Sequence, residues 1–192
     1  MRICVFGAAS PTIDPEYIRK VEEMGLALAQ RGHSLVFGAG NNGLMGAAAR
    51  GFHEGNAYIL GVVPSFFRED GIEALCPFCT DMIETETMRE RKQTMEDNAD
   101  AFIVVPGGIG TFEEFFEILT SKQLCRHNKP IAIYNLKGYY NEMEQLLVTA
   151  MEKNFIRNDC HALYHLTDDM ESIIAYLEGP HIQRTVRDLK DG

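Results

Sequence analysis

The chain has 192 residues, a length that fits one domain and can bury a full core without disulfide or metal staples. A hydrophobic fraction of 45% and a charged fraction of 24% exclude disordered, collagen-like and coiled-coil architectures. A net charge of −10 repels nucleic acid and anionic lipid at long range, yet a local cradle of backbone amides can still hold a small phosphate. No nucleic-acid and no membrane partner is therefore expected, and no apolar run approaches the ~20 residues that cross a bilayer. Residues 1–9 enter a strand-like pattern directly, so no signal peptide is expected. Five scattered cysteines, Cys4, Cys76, Cys79, Cys125 and Cys160, fit a reduced, cytoplasmic location.

In chain order, residues 2–6 read as a strand. Residues 15–31 read as a helix with Asp14 as N-cap and Pro15 at its first position, ended by Gly32. Residues 34–37 form the second strand, 43–54 a helix, and 57–63 a strand closed by Pro64. Residues 65–80 show no clean period and read as loop. A short strand is expected at 81–85. A helix follows at 87–98, where Thr87-Met88-Arg89-Glu90 has capping-box form. Residues 101–105 read as a buried strand, 111–125 as a helix, 131–134 as a strand, 139–154 as a helix, 161–166 as a weak strand and 167–178 as a helix. The alternation predicts an α/β, Rossmann-like doubly wound parallel sheet with helices on both faces. Residues 1–180 make a single nucleotide-binding domain on this reading, and 181–192 a polar C-terminal tail. Ligands of such sheets bind beyond the carboxyl ends of the strands, where strand order reverses.

Three glycine-rich turns follow strands. The first is Gly7-Ala8-Ala9-Ser10-Pro11. The second, Gly38 to Gly46, holds a literal G-x-G-x-x-G. It can be a dinucleotide fingerprint, a plain tight turn, or a turn that also lines a nucleotide pocket. It follows the second strand rather than the first, and no acid closes the next strand, which weakens the dinucleotide reading. The third turn runs Pro106-Gly107-Gly108-Ile109-Gly110-Thr111-Phe112-Glu113-Glu114. Its glycines let backbone N–H groups approach an anion, and the helix behind adds its positive end. Thr111 reads as the N-cap, and Glu114 either bonds back to it in a capping box or serves a reaction. With no Lys-Ser/Thr after the glycines, a triphosphatase loop and its Mg²⁺ are not implied.

Met88-Arg89-Glu90-Arg91-Lys92 together with P-G-G-x-G-T-x-x-E at 106–114, and Gly-Leu-Met-Gly at 43–46, resemble the Lonely Guy family. Its members are cytokinin riboside 5′-monophosphate phosphoribohydrolases, often labelled lysine decarboxylases, and the resemblance spans roughly residues 1–180. It implies hydrolysis of the N-glycosidic bond of a nucleoside 5′-monophosphate, AMP or a cytokinin riboside 5′-monophosphate, to free base and ribose 5-phosphate. It implies Arg91 and Glu114 as catalytic residues, with Arg91 orienting the ribose hydroxyls and Glu114. Lys92, Gly107, Gly108, Ile109, Gly110, Thr111, Glu113 and Thr120 are implied to contact the nucleotide. No cofactor and no metal are implied, the partner is a small-molecule nucleotide substrate, and the assembly is a homodimer. Phe115, Phe116, Ile118 and Leu119 could serve core or interface.

Two stretches depart from the family pattern. The first loop opens Gly38-Ala39-Gly40 rather than with three glycines. After Pro64 the short family link is replaced by Ser65-Phe66-Phe67-Arg68 and a longer segment holding Cys76-Pro77-Phe78-Cys79. That cysteine pair reads as loop cysteines without chemistry, a redox pair or half a zinc site. Besides the phosphoribohydrolase, a nucleotide-binding or carrier module of the same fold, another nucleoside-phosphate hydrolase, and a pyridoxal-phosphate decarboxylase compete.

Overall fold

A computed structural model describes residues 1–71 and 74–185, and of Arg68 the backbone alone. Seven strands form one sheet: β1 (Arg2–Phe6), β2 (Ser34–Phe37), β3 (Ile59–Pro64), β4 (Asp81–Thr85), β5 (Ala101–Val104), β6 (Ile131–Tyr134) and β7 (His165–Thr167). All adjacent pairs are parallel, in the order β4-β3-β2-β1-β5-β6-β7. The chain thus winds outward from β1 in one direction, returns, and winds outward again from β5. Strand order reverses between β1 and β5, which pair from Ile3 against Ala101 to Phe6 against Val104.

The described residues also form seven α-helices: α1 (Pro15–Gln30), α2 (Gly43–Glu54), α3 (Ser65–Glu69), α4 (Met88–Asn98), α5 (Ile109–Gln123), α6 (Asn141–Glu152) and, after the last strand, α7 (Met170–Glu178). The pleat of each strand divides its side chains between two cores. Ile3 and Val5 pack with Val21, Met24 and Leu28 of α1, Leu44 and Phe52 of α2, and Ile173 and Leu177 of α7. Cys4 and Phe6 pack on the other face with Met95 of α4, Phe115 and Ile118 of α5, and Leu147 and Met151 of α6. The expected doubly wound sheet with helices on both faces is what the chain forms. No helix among the described residues is long and apolar enough to cross a membrane.

Local signals explain several boundaries. The Asp14 carboxylate accepts the Glu16 N–H at 2.9 Å. At the other end of α1, Gly32 sits at φ +80°, and the N–H groups of Gly32 and His33 donate to the carbonyls of Ala29 and Leu28, the 6→1 and 5→2 pairing of a Schellman end. Thr87 caps α4 by accepting the Glu90 N–H, while the Glu90 carboxylate reaches past the cap to the Glu86 N–H.

Other expectations fail for physical reasons. Residues 65–80 are not all loop, since Pro64 opens the one-turn helix α3 and Leu75 bridges to Gly40. The strand expected at 57–63 begins at Ile59, after Asn56 turns at φ 55°. The strand expected at 161–166 is displaced, because residues 158–163 wind as a 3₁₀ helix. The last helix starts at Met170 rather than 167, where Asp169 accepts the Ser172 N–H. Of the expected polar tail, 186–192 lie outside the described residues. Arg184 is tied back by backbone hydrogen bonds to the Asn128 side chain and an ion pair with Asp159.

Candidate active site

The three glycine turns meet at the carboxyl edge of the sheet, around the β1–β5 reversal. The Ala8 N–H donates to the Pro106 carbonyl at 3.1 Å, and the Leu44 N–H to Ala8 at 2.8 Å, so all three turns are bonded into one rim. Between them opens a cleft of about 390 Å³, lined by Gly7, Ala8, Ala9, Ser10, Gly38, Gly40, Met45, Phe67, Arg91, Gly108, Gly110, Thr111 and Glu114. Gly38, Gly40 and Met45 of the second turn thus line the cleft.

Arg91 lies on the buried face of α4 with Met95 and is 8% exposed. Its Nε donates to the Val62 carbonyl at 3.1 Å and its Nη2 to the Gly38 carbonyl at 2.9 Å. The guanidinium also lies over the Phe67 ring, 5.4 Å from its centroid. Two of the guanidinium N–H groups are thus held by backbone carbonyls, while the Arg91 charge acts on Glu114. The close approach needs glycine at 38: a Cβ there would stand 1.8 Å from Nη2.

The third turn also departs from expectation. α5 starts at Ile109 with Gly108 as its N-cap, so Thr111 is the third residue of the helix and no capping box joins it to Glu114. Steric fit explains the shift. Gly107 lies so close to Thr111 that a Cβ would stand 2.1 Å from Oγ1. The turn is braced by Tyr139, whose hydroxyl donates to the Gly107 carbonyl at 2.6 Å, and by Tyr140, which donates to Val105 at 2.8 Å. Neither Gly108 nor Gly110 has a positive φ, and a Cβ on either would meet nothing within 4 Å. Neither backbone strain nor packing inside this chain calls for glycine at those two positions.

Freed from a cap, Glu114 lines the cleft. Burial pushes its carboxyl up to about 7, against the pull of the Arg91 charge, which favours the ionised form. Of the other residues named from the sequence, Gly107 forms the turn beneath the rim, and Ile109 is 86% exposed at the start of α5. Lys92 pairs with Glu113 and with Glu117 at 2.6 Å on the outer side of α4 and α5, and Thr120 is exposed on the same helix. Lys92, Glu113 and Thr120 are thus outside the cleft of their own chain. Phe115, Ile118 and Leu119 are core, whereas Phe116 is partly exposed. Sequence reading did not pick out Met45 or Phe67 as site residues. Phe67 stands in an aperiodic stretch, and only the pairing of β3 with α4 brings it over Arg91. Among the described residues no group of three His, Cys, Asp or Glu side chains is placed to hold a metal.

A family model described as "Possible lysine decarboxylase" matches residues 45–177. A probable cytokinin riboside 5′-monophosphate phosphoribohydrolase of Oryza sativa subsp. japonica is 34% identical over 175 residues, 91% of this chain and 75% of that protein. A cytokinin riboside 5′-monophosphate phosphoribohydrolase of Arabidopsis thaliana is 34% identical over 179 residues, 92% of this chain and 81% of that protein. Among solved structures, the molybdenum cofactor carrier protein of Chlamydomonas reinhardtii superposes with a TM-score of 0.68 at 22% identity, over 91% of this chain and 93% of that one. That likeness is one of fold.

Proposed function

The chain belongs to the Lonely Guy family of cytokinin riboside 5′-monophosphate phosphoribohydrolases, and we propose from that premise that its cleft hydrolyses a nucleoside 5′-monophosphate to the free base and ribose 5-phosphate. The observation that supports this reading most is the Glu114 carboxyl, pushed up to about 7 by burial, in a cleft rimmed by Gly108, Gly110 and Thr111. Bare glycines at the start of α5 let a phosphate approach the unpaired N–H groups of its first turn, and the helix dipole adds attraction. A phosphate held there brings the ribose toward Glu114. As the N-glycosidic bond breaks, positive charge grows at C1′, and the ionised carboxylate stabilises it. Arg91, immobilised by Gly38 and Val62, fixes a positive charge nearby and keeps part of Glu114 ionised near neutral pH. AMP and cytokinin riboside 5′-monophosphates are the substrates this reading assigns.

The other readings differ in measurable ways. A carrier module binds AMP without releasing adenine. A pyridoxal-phosphate decarboxylase needs a lysine for its Schiff base, and among the described residues no lysine lines the cleft. The test is incubation of the protein with AMP and assay of adenine. Release supports the hydrolase, and tight binding without release supports a carrier.

The working unit on this reading is a cytoplasmic homodimer. The outer face of α5 leaves Ile109, Phe116 and Leu124 exposed beside Glu113 and Thr120, and this is the surface we assign to the second copy. A nucleotide contact from Glu113 or Thr120 would then be made to the partner's cleft.

A further inference from the structure

The segment that replaces the short family link is bonded to the cleft wall. The Cys76 N–H donates to the Ala39 carbonyl and the Asn41 N–H to Ala74, both at 2.8 Å, with Leu75 bridged to Gly40 between them. Gly38 and Gly40 of that wall line the cleft, and Gly38 holds Arg91. The wall thus has Arg91 on one side and the cysteine turn on the other. Cys76 and Cys79 flank the turn at residues 77–78, which sets the Cys79 thiol and the turn amides against the Cys76 sulfur. Cys79 packs over Gly61, where a Cβ would stand 2.8 Å from its sulfur and 2.9 Å from the Ala39 Cβ. Phe78 is stacked on His53, ring centroids 4.3 Å apart. Cys76 is buried, while Phe78 and Cys79 reach the surface.

We propose that Cys76 and Cys79 are a redox modification site: a hydroperoxide oxidises the pair to a disulfide, and the new bond shifts the glycine wall of the cleft. The Cys76 thiolate attacks one peroxide oxygen, the O–O bond breaks, and a sulfenic acid and hydroxide form. The Cys79 sulfur then attacks the Cys76 sulfur, giving the disulfide and water. Over both steps two thiols and one hydrogen peroxide yield one disulfide and two waters, and a dithiol reductant reverses the change. Neighbouring groups favour the first step. The Cys79 thiol and the turn amides hold Cys76 below the ordinary thiol value against its burial, whereas burial pushes the core thiols of Cys4 and Cys160 up. A disulfide holds its sulfurs about 2.05 Å apart. Closing the thiol pair to that distance draws in the turn that carries the Ala39 and Gly40 contacts.

The chemistry of the pair is independent of the hydrolase reading, while its effect on turnover rests on it. The full chain is treated with hydrogen peroxide at neutral pH and mapped by mass spectrometry, with backbone amide exchange followed in residues 38–46. The expected result is loss of two of the five thiols, a linked Cys76–Cys79 peptide that dithiothreitol releases, and a change of about threefold or more in exchange of residues 38–42. Cys79→Ser should leave a sulfenic acid on Cys76 that dimedone traps. In an active preparation the KM for AMP should change on oxidation and return on reduction. Persistence of both thiols, oxidation beyond sulfenic acid without a link, or stoichiometric zinc held by both cysteines would each overturn the proposal. A linked peptide with unchanged exchange would overturn its coupling to the cleft. A chain that forms the bond and shifts the wall but never releases adenine faults only the hydrolase reading.

Discussion

At the scale of single residues, Glu114 meets two opposed demands. Its folded pKa of about 7 lies above its ordinary value of 4.5 because burial penalises the charge. The stability this carboxyl contributes is fully present below the unfolded value and is lost as pH rises through about 7. Glu114→Gln removes the charge and keeps the shape. It should melt higher than the parent at pH 8 and no higher at pH 4, as calorimetry at both values will read. If the ionised form does the chemistry, as proposed, parental kcat/KM for AMP should climb with pH through an ionisation near 7. A pH-independent rate from 5 to 9 would detach Glu114 from the reaction. Gly110 gives a second residue-scale test with opposite signs for stability and binding. Alanine fits helix φ/ψ better than glycine, and nothing within 4 Å obstructs its Cβ. Gly110→Ala should therefore keep or raise stability by up to about 1 kcal/mol. AMP affinity, read by titration calorimetry, should fall about tenfold or more, since the methyl would stand on the proposed path of the phosphate to its amide cradle.

At the scale of elements, the wall formed by Gly38 and the buried face of α4 act as one unit. In Gly38→Ala the new Cβ collides with the Arg91 guanidinium, and Arg91 must leave Val62 and Gly38. The variant should reproduce the catalytic defect of Arg91→Ala, and the double variant should be no worse than either single one. A double-mutant cycle on kcat/KM measures this, and additive losses would show that the two positions act separately. The strands and six of the seven helices were legible because alternating apolar runs, Asp14 before Pro15, Gly32 and Thr87 each carry a local signal. α3 was not, since five residues without a period give no helical face to read. The start of α5 was misplaced for a different reason. Thr111 looks like a cap in sequence, but the Tyr139 and Tyr140 hydroxyls and the tight packing of Gly107 on Thr111 carry helix geometry back to Ile109. The two tyrosine hydrogen bonds join residues 32 and 35 apart, which no local pattern records.

At the scale of the whole molecule, the reversal between β1 and β5 gathers three turns separated by up to a hundred residues, so the cleft's glycines were visible in sequence while their convergence followed only from topology. Arg91 and Glu114 were found through a motif. What each touches was not, because Arg91's partners belong to β3 and the second turn. The exposed stripe along α5 and its C-cap Leu124 bears on assembly: Leu124 is 51% exposed, and Leu124→Glu should convert a two-chain particle into a single chain in multi-angle light scattering. A parent that is already monomeric would remove the assigned interface. The central claim, that this cleft breaks an N-glycosidic bond by means of Glu114, is tested most directly by adenine release from AMP, compared between parent and Glu114→Gln at matched AMP occupancy. The account predicts release by the parent and a loss of about 10²-fold or more in the variant, equivalent to about 2.7 kcal/mol of transition-state stabilisation, with AMP binding retained. A folded Glu114→Gln chain that binds AMP and releases adenine at the parental rate would contradict it.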